Sequence, residues 1–391
     1  MEIRRKQAID IERIAMSKSD ILIFGDICPD NDYKQFYGYN GKSVFDEKIK
    51  ALVNEGGLVI GNLECPVTKS KSAIKKCGPV LKAEPEEIKY LNEFGFDVFS
   101  LANNHILDYG KKALFDTLNI LNEYKLKHFG ADINEEKSKH PLIIEVNGKK
   151  VGLLSFAEAE FNLAMGDDPG ANHFDPYSSF DDIVNLKKKC DYVIVLYHGG
   201  IEYYVNPSPL LQKKCRKMAK SGADLILCQH SHCIGTIEKI DGSTIIYGQG
   251  NAAFGYREGN DSWNEGFIVS VSLDDNSVNL HLINAVENGI VLADEIDSQN
   301  RIERMMKESE HLDDFIWIKE EWNKYCDKQK ALYLPLIYGK NRVFNKVNRI
   351  LNNILIKLLY NSKKQMITMN LIRCESHHEV IQTIFENKYF Y

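Results

Sequence analysis

Residues 21–26 read Ile-Leu-Ile-Phe-Gly-Asp, an apolar run of strand length that ends in a glycine and a carboxylate. Runs this short and this rich in Ile, Val, Leu and Phe are typical of buried strands. Four further runs along the chain also end in Glu, Asn or His. The five are Ile21–Phe24 before Asp26, Leu58–Gly61 before Asn62 and Glu64, Asp97–Ala102 before Asn104 and His105, Asp191–Tyr197 before His198 and Glu202, and Ala223–Cys228 before His230 and His232.

Helix-length amphipathic stretches separate these strands, and the alternation predicts an α/β core with a largely parallel sheet. The helices are expected at 44–54, 85–94, 111–124, 181–189 and 210–221. Asn147-Gly148 and Asp241-Gly242 are turn signals that predict two hairpins. A third antiparallel pair is expected across 266–285. The chain therefore mixes parallel and antiparallel pairing, as a two-sheet sandwich does.

The strand ends carry side chains that bind metals. In an open α/β sheet, ligands bind at the carboxyl ends of the strands, so five such ends would gather many oxygen and nitrogen donors at one site. Imidazole together with carboxylate and amide oxygen suits Mn, Fe or Zn better than Ca. There are enough donors for two divalent ions, which a shared carboxylate usually bridges.

Each motif alone also has a structural interpretation. Gly25-Asp26 is a common strand ending, and Asn104-His105 could belong to a turn that precedes a helix. His198 alone is as compatible with a core histidine as with a ligand. His230 and His232 alternate, so in an extended segment both rings would face one ion. The occurrence of donors at five strand ends together favours the metal site.

Composition limits the class of protein. The 391 residues carry 49 basic and 55 acidic side chains, a formal net charge of −6. No basic footprint for nucleic acid is present. We find no signal-peptide pattern at the start and no apolar window long enough to span a membrane. The nine cysteines are scattered singly, which fits reduced thiols, so we expect a cytoplasmic protein.

The chain changes character after about residue 285. We expect an N-terminal helical segment over 1–19, the main domain over 20–285 and a mostly helical C-terminal extension over 286–391. Within the extension, 341–362 is amphipathic and basic. Its apolar stripe could pack on the main domain, which we favour, face an anionic membrane or mediate self-association.

The segments at the strand ends, in this order, resemble the CapA family of poly-γ-glutamate capsule-biosynthesis proteins, a branch of the calcineurin-like metallophosphoesterases. The resemblance covers residues 20–285. It rests on Gly25-Asp26, on Asn62 to Pro66, on Ala102 to His105 with Asp108 and Gly110, on His198 to Tyr203, on Gly222 to Asp224, on His230-Ser231-His232 and on Tyr247 to Asn251. The fold implied is α/β, a metallophosphoesterase-like two-sheet sandwich flanked by helices in four αββα layers.

The resemblance also implies roles for individual residues. Asp26 and His232 would hold one ion, Asn104, His198 and His230 the other, and Glu64 would bridge them. His105 would be the general acid that protonates the leaving group. Glu202 and Asn251 would line the site, Glu202 with a catalytic role and Asn251 with a substrate-binding one.

A basic loop follows Glu64 and carries Lys69, Lys71, Lys75 and Lys76. We weigh a solvated loop against one that meets an anionic substrate near the metals, and Lys69 is our candidate for that contact.

Two functions remain open from the sequence. The first is a metal-dependent hydrolase that acts on a phosphoester or a γ-glutamyl-type amide of an anionic small molecule or polymer. The second is a non-catalytic assembly or polymer-binding factor for poly-γ-glutamate or polysaccharide synthesis. Cys28 motivates the second, because it stands where the broader superfamily usually has a histidine.

Overall fold

The structure is a computed structural model, and it describes residues 19–29, 43–337 and 361–389, with single positions between 346 and 358. The predicted N-terminal helix therefore lies outside the described residues. The strands are β1 (Ile21–Ile27), β2 (Leu58–Leu63), β3 (Val98–Ser100), β4 (Lys127–Phe129), β5 (Ala131–Asp132), β6 (Leu142–Val146), β7 (Lys149–Ala157), β8 (Gly170–Ala171), β9 (Tyr192–His198), β10 (Leu225–Gln229), β11 (Ile237–Ile240), β12 (Ser243–Ile246), β13 (Asn251–Ala253), β14 (Glu265–Val271), β15 (Val278–Val286) and β16 (Gly289–Leu292).

The helices alternate with the strands in the first part of the chain and follow one another at its end. They are α1 (Glu47–Glu55), α2 (Pro85–Phe94), α3 (Gly110–Glu123), α4 (Glu135–Ser138), α5 (Ser179–Lys187), α6 (Pro209–Lys220), α7 (Asp261–Asn264), α8 (Glu295–Ser309), α9 (Phe315–Ile337), α10 (Ser362–Arg373) and α11 (Glu375–Tyr389). The five helices expected from the sequence are all present, with ends shifted by a few residues.

Two main sheets form the centre of the molecule. The first has the order β16-β15-β14-β1-β2-β3-β4, with β13 also paired to β1, and β1 to β4 run parallel. The second has the order β11-β12-β10-β9-β7-β6, with a parallel centre from β12 to β7. Both predicted turns, at Asn147-Gly148 and Asp241-Gly242, adopt the positive φ angles that tight hairpins need.

The layers follow from the period of two along each strand. In β1, Ile21 and Ile23 pack between the two sheets, whereas Leu22 and Phe24 face α1, α2 and α3. The outer face of the second sheet packs on α5 and α6. Each such side chain contributes about 1.5–3 kcal/mol when fully buried. The predicted two-sheet sandwich flanked by helices, with four αββα layers, is confirmed.

The C-terminal helices form a separate core. Trp322 and Cys326 of α9 pack with Leu371 of α10 and Val380 of α11, and Ile201 of the main domain joins them. The first sheet continues through β16, which lies beyond the boundary at 285 expected from the sequence. In the described part of the chain, no helix has both the length and the apolar character needed to cross a membrane.

The amphipathic segment 341–362 lies mostly outside the described residues. Four apolar side chains of its predicted stripe are described, and all four are exposed: Val347, Leu351, Ile354 and Leu358. They give no support to the packing that we favoured. Contact of this segment with an anionic membrane or with a second copy of the chain stays a prediction.

Candidate metal centre

The carboxyl ends of β1, β2, β9 and β10 converge, as the sequence predicts, and Asp26 lies at their centre. Asn62 donates to its Oδ1 (2.7 Å), and the backbone N–H of His230 donates to its Oδ2 (3.0 Å). A Cβ atom on Gly25 would lie 2.2 Å from the Gly250 carbonyl oxygen. Glycine at position 25 therefore lets β13 approach β1 and brings Asn251 beside Asp26.

Glu64 lies at the join between two groups of donors. One contains Glu64, His198 and His230, and the other contains Asp26, Glu64 and His232. The same atom, Glu64 Oε1, lies 3.5 Å from His198 Nε2 and 3.7 Å from His232 Nε2. Two ligand atoms that each lie about 2.1 Å from the same ion are about 3–4 Å from each other. These distances therefore allow Glu64 to share one ion with His198 and another with His232.

The two histidines of the His-x-His motif lie in different groups of possible metal ligands. His230 and His232 have φ angles of +85° and +51°, so the segment is not extended, and their ring centroids are 6.2 Å apart. The extended backbone expected from the sequence is therefore wrong, and the two rings belong to different donor groups. Left-handed backbone at two non-glycine residues costs energy and often marks functional sites.

Asn104 lies with His198 in the first group. Its Oδ1 is 3.0 Å from His198 Nε2, and the Asn62 amide nitrogen lies 3.2 Å from His198 Nδ1. The side chains that the resemblance assigns to two ions thus occupy one buried cluster: Asp26, Glu64, Asn104, His198, His230 and His232. Their assignment as ligands stays a prediction.

Polar atoms in this cluster lack partners that a cation would supply. Glu64 is fully buried, and no described residue donates a hydrogen bond to either of its carboxylate oxygens. His230 Nδ1 is also buried without a partner among the described residues. Buried polar atoms of this kind are rare and costly unless an ion or water satisfies them. The donor set therefore fits divalent cations.

Burial controls the protonation of the cluster. Desolvation, followed by the charge of Glu64, raises the pKa of Asp26 to about 8, and desolvation raises the pKa of Glu64 well above its usual range. Desolvation lowers the pKa of His198 to about 4 and also lowers the pKa values of His230 and His232. Neutral imidazole is the form that binds metals, whereas the carboxyls need a cation to ionise.

His105 lies beside the cluster and is held by an ion pair. Its Nδ1 is 2.6 Å from Asp108 Oδ2, and Lys76 contacts the other Asp108 oxygen at 2.7 Å. His105 Nε2 is 4.0 Å from Glu64 Oε1. Asp108 therefore fixes the imidazole by one nitrogen and leaves the other for proton transfer.

Asn251 and Lys69 lie in different surroundings from those that the sequence predicts. Asn251 is buried, its Oδ1 contacts His232 Nδ1 (2.9 Å) and its amide donates to the Trp263 carbonyl (2.8 Å). It thus orients a candidate ligand. Glu202 lies on the pocket wall.

Lys69 forms an exposed ion pair with Glu86. Lys76 lies in the pocket instead, where its Nζ contacts Asp108 Oδ1 (2.7 Å), and the N–H of Ile74 donates to the Asp108 carbonyl.

A pocket of about 550 Å³ opens over the cluster. Its wall includes residues that sequence reasoning missed. Arg257 stacks on Trp263, with its guanidinium carbon 3.1 Å from the ring centroid, and donates to the Tyr203 hydroxyl (3.0 Å). Asn370 and His377 of the C-terminal helices close another side. No local motif marks these residues, because their position depends on how distant segments pack.

Comparisons with known proteins identify relatives of most of the main domain. The sequence model of the family described as bacterial capsule synthesis protein PGA_cap matches residues 20–256. The chain is 30% identical over 262 residues to the capsule biosynthesis protein CapA of Bacillus anthracis, covering 64% of each chain. It is 30% identical over 234 residues to the PGA biosynthesis protein CapA of Bacillus subtilis (strain 168), covering 59% of this chain and 62% of that protein.

The matches to these two relatives span a little under two thirds of their length. Among solved structures, a 5'-nucleotidase precursor from Thermus thermophilus overlaps 73% of this chain and 57% of its own, at 14% identity and a TM-score of 0.41. The match of the family model extends over more than half of the chain and includes every residue of the buried donor cluster. The chain therefore belongs to the bacterial capsule synthesis protein family PGA_cap.

Proposed function

We propose that the chain is a metal-dependent hydrolase that acts on an anionic substrate in capsule or polymer biosynthesis, with two divalent ions (Mn, Fe or Zn) bridged by Glu64. The observation that carries the proposal is the buried Glu64 carboxylate, which has no hydrogen-bond donor among the described residues and is shared by two groups of possible metal ligands. Bound divalent ions supply a nucleophile from water and polarise the bond that is cleaved. Both a phosphoester and a γ-glutamyl-type amide are compatible with this chemistry.

The chain's own residues supply the remaining functions. His105 donates a proton from Nε2 to the leaving group, while Asp108 holds the opposite ring nitrogen. Lys76 forms an ion pair with Asp108 and holds that carboxylate in place. Arg257 presents a planar guanidinium to the pocket, a geometry that binds carboxylate or phosphate oxygens in pairs. Glu202 faces the same pocket and would orient the substrate.

Metal content tests the proposal directly. Wild-type protein purified without added metal or chelator should contain two equivalents in the buried cluster, and Glu64→Gln should lose both. The matched control is Glu86→Gln, which changes an exposed carboxylate and should leave the content unchanged. Metal-dependent turnover should then appear with phosphoesters or γ-glutamyl amides and disappear in Glu64→Gln. Retention of both ions by Glu64→Gln would contradict the proposal.

The alternative is a non-catalytic assembly or polymer-binding factor. Cys28 favours it, because its side chain is fully buried and does not contribute to the pocket wall. Cys28 therefore does not take the place of the superfamily's usual histidine at this position. Tight binding of poly-γ-glutamate without turnover under Mn, Fe or Zn would favour this function, whereas turnover of that polymer would exclude it.

A further inference from the structure

A second group of metal-binding side chains lies at the rim of the pocket, outside the cluster described above. Glu160, Cys374 and His377 place a carboxylate oxygen, a sulfur and a ring nitrogen within 4.8 Å of one another. Glu160 follows β7, whereas Cys374 joins α10 to α11 and His377 lies in the first turn of α11. Residues from two distant parts of the chain therefore meet at one point.

This arrangement is held by hydrogen bonds around it. The backbone N–H of Ala159, next to Glu160, donates to Glu375 (3.1 Å), and the Ser376 hydroxyl donates to Glu158 (2.6 Å). The two residues between Cys374 and His377 are thus tied to the two residues that precede Glu160. The backbone segments that carry the three donors are held together before any ion binds, which lowers the entropy cost of binding.

His377 has an outer contact of the type that orients a metal ligand. The buried Tyr333 hydroxyl lies 2.7 Å from His377 Nδ1. With Nδ1 as the donor to the tyrosine oxygen, Nε2 keeps a free lone pair. Histidine ligands usually have such a partner on the second nitrogen, which fixes both the tautomer and the ring orientation.

We propose that Glu160, Cys374 and His377 form an additional zinc site that joins the C-terminal helices to the wall of the pocket. One sulfur, one nitrogen and one oxygen donor suit Zn²⁺, whereas Mg²⁺ and Ca²⁺ favour oxygen donors alone. Three protein ligands leave a fourth position. Because Glu160 and His377 line the pocket, that position opens toward it and can accept a water or a substrate oxygen.

Cobalt substitution gives a readout that belongs to this site alone. The buried cluster offers only oxygen and nitrogen donors, so a thiolate-to-cobalt charge-transfer band in the near ultraviolet reports Cys374. Metal-stripped protein titrated with Co²⁺ should show the band, and Zn²⁺ should abolish it. Cys374→Ser should lack the band and should bind one equivalent of zinc fewer than the wild type.

Matched variants separate this site from the proposed di-metal centre. Cys77→Ser changes the other cysteine near the site, on the pocket wall, and should keep the band. Glu64→Gln should also keep it, even if the hydrolase proposal fails. Glu160→Gln, a change at a partly exposed residue, should weaken binding without the folding risk of a core substitution.

The hydrogen bond between the Tyr333 hydroxyl and His377 Nδ1 can be tested separately. Tyr333→Phe should lower the Co²⁺ affinity by about 10-fold, in the range typical of such contacts. Absence of a thiolate band in folded wild-type protein would overturn the proposal. So would a band that persists in Cys374→Ser or disappears in Cys77→Ser.

Discussion

Glu64 and Glu158 are both buried carboxylates near the pocket, but their surroundings are opposite. Glu64 accepts no hydrogen bond from any described residue. Glu158 accepts from Tyr197 (2.9 Å), the Gly200 backbone (3.3 Å) and Ser376 (2.6 Å), with Lys214 at 3.8 Å. The fold itself satisfies a buried carboxylate that has such partners, whereas one without them is suited to bind a cation.

Both carboxylates lie in the region matched by the family, but they contact two different parts of the chain. The region matched by the family, 20–256, contains Glu64 and the donors of the candidate metal centre. The C-terminal helices lie outside that match, and Glu158 is where they dock through Ser376. We expect chemistry to depend on Glu64 and its neighbours, and attachment of the C-terminal helices to depend on Glu158.

The largest effect is expected at His105. His105→Ala removes the proposed general acid, so kcat should fall by about 100- to 10,000-fold, while the metal content stays at the wild-type level. Asp108→Asn should lower kcat less and alter its pH profile, since the imidazole keeps its place but loses its carboxylate partner. Turnover and metal analysis on the same preparations measure both effects. Full activity in His105→Ala would exclude this role.

Glu158→Gln should weaken the attachment of the C-terminal helices. Although burial opposes ionisation, Lys214 and then the Ser376 hydroxyl hold the pKa of Glu158 below its usual value. Removing the charge leaves Lys214 buried without its partner, which costs about 3–5 kcal/mol. Urea unfolding measures the loss, and hydrogen exchange should locate it in α10 and α11. Glu320→Gln is the control at an exposed carboxylate of α9, and a loss equal to that control would contradict the role of Glu158.

Much of the first region could be predicted from the sequence, because each signal there is local. An apolar run followed by Asp26 or His198 specifies both a strand and the donor at its end. The C-terminal region has no such signal, since Cys374 and His377 acquire neighbours only when α10 and α11 dock. The directions of the His230 and His232 side chains also depend on a left-handed backbone conformation at both residues, which the sequence pattern does not reveal.

Metal-free protein should lose stability as the pH rises toward 8. A carboxyl with a raised folded pKa binds more protons when folded, so the contribution of Asp26 declines between its unfolded value of 3.8 and about 8. The histidines have lowered pKa values and act in the opposite sense, but only below about 6.5. Between pH 6.5 and 8, the free energy of unfolding should fall by at most about 1.4 kcal/mol per pH unit for each carboxyl.

Urea unfolding in the presence of a chelator measures this slope. Saturating metal should reverse it, because the ion binds the ionised carboxylates and binding releases protons. Asp26→Asn should flatten the slope of the metal-free protein. Glu158, with its lowered pKa, contributes stability above its unfolded pKa that is lost only at acidic pH, so it does not contribute in this range. A rising slope between pH 6.5 and 8 without metal would contradict the prediction.

The smallest effect is expected at Lys69, the sequence candidate for a contact with an anionic substrate. Its exposed ion pair with Glu86 lies outside the pocket wall, and surface pairs contribute about 0–1 kcal/mol. Lys69→Ala should therefore leave kcat/KM within about 2-fold of the wild type. Arg257→Ala, which removes a guanidinium from the pocket, should raise KM by a larger factor. Both are measured on one anionic substrate at low and high salt. A larger loss for Lys69→Ala than for Arg257→Ala would place the anion contact on the loop after Glu64.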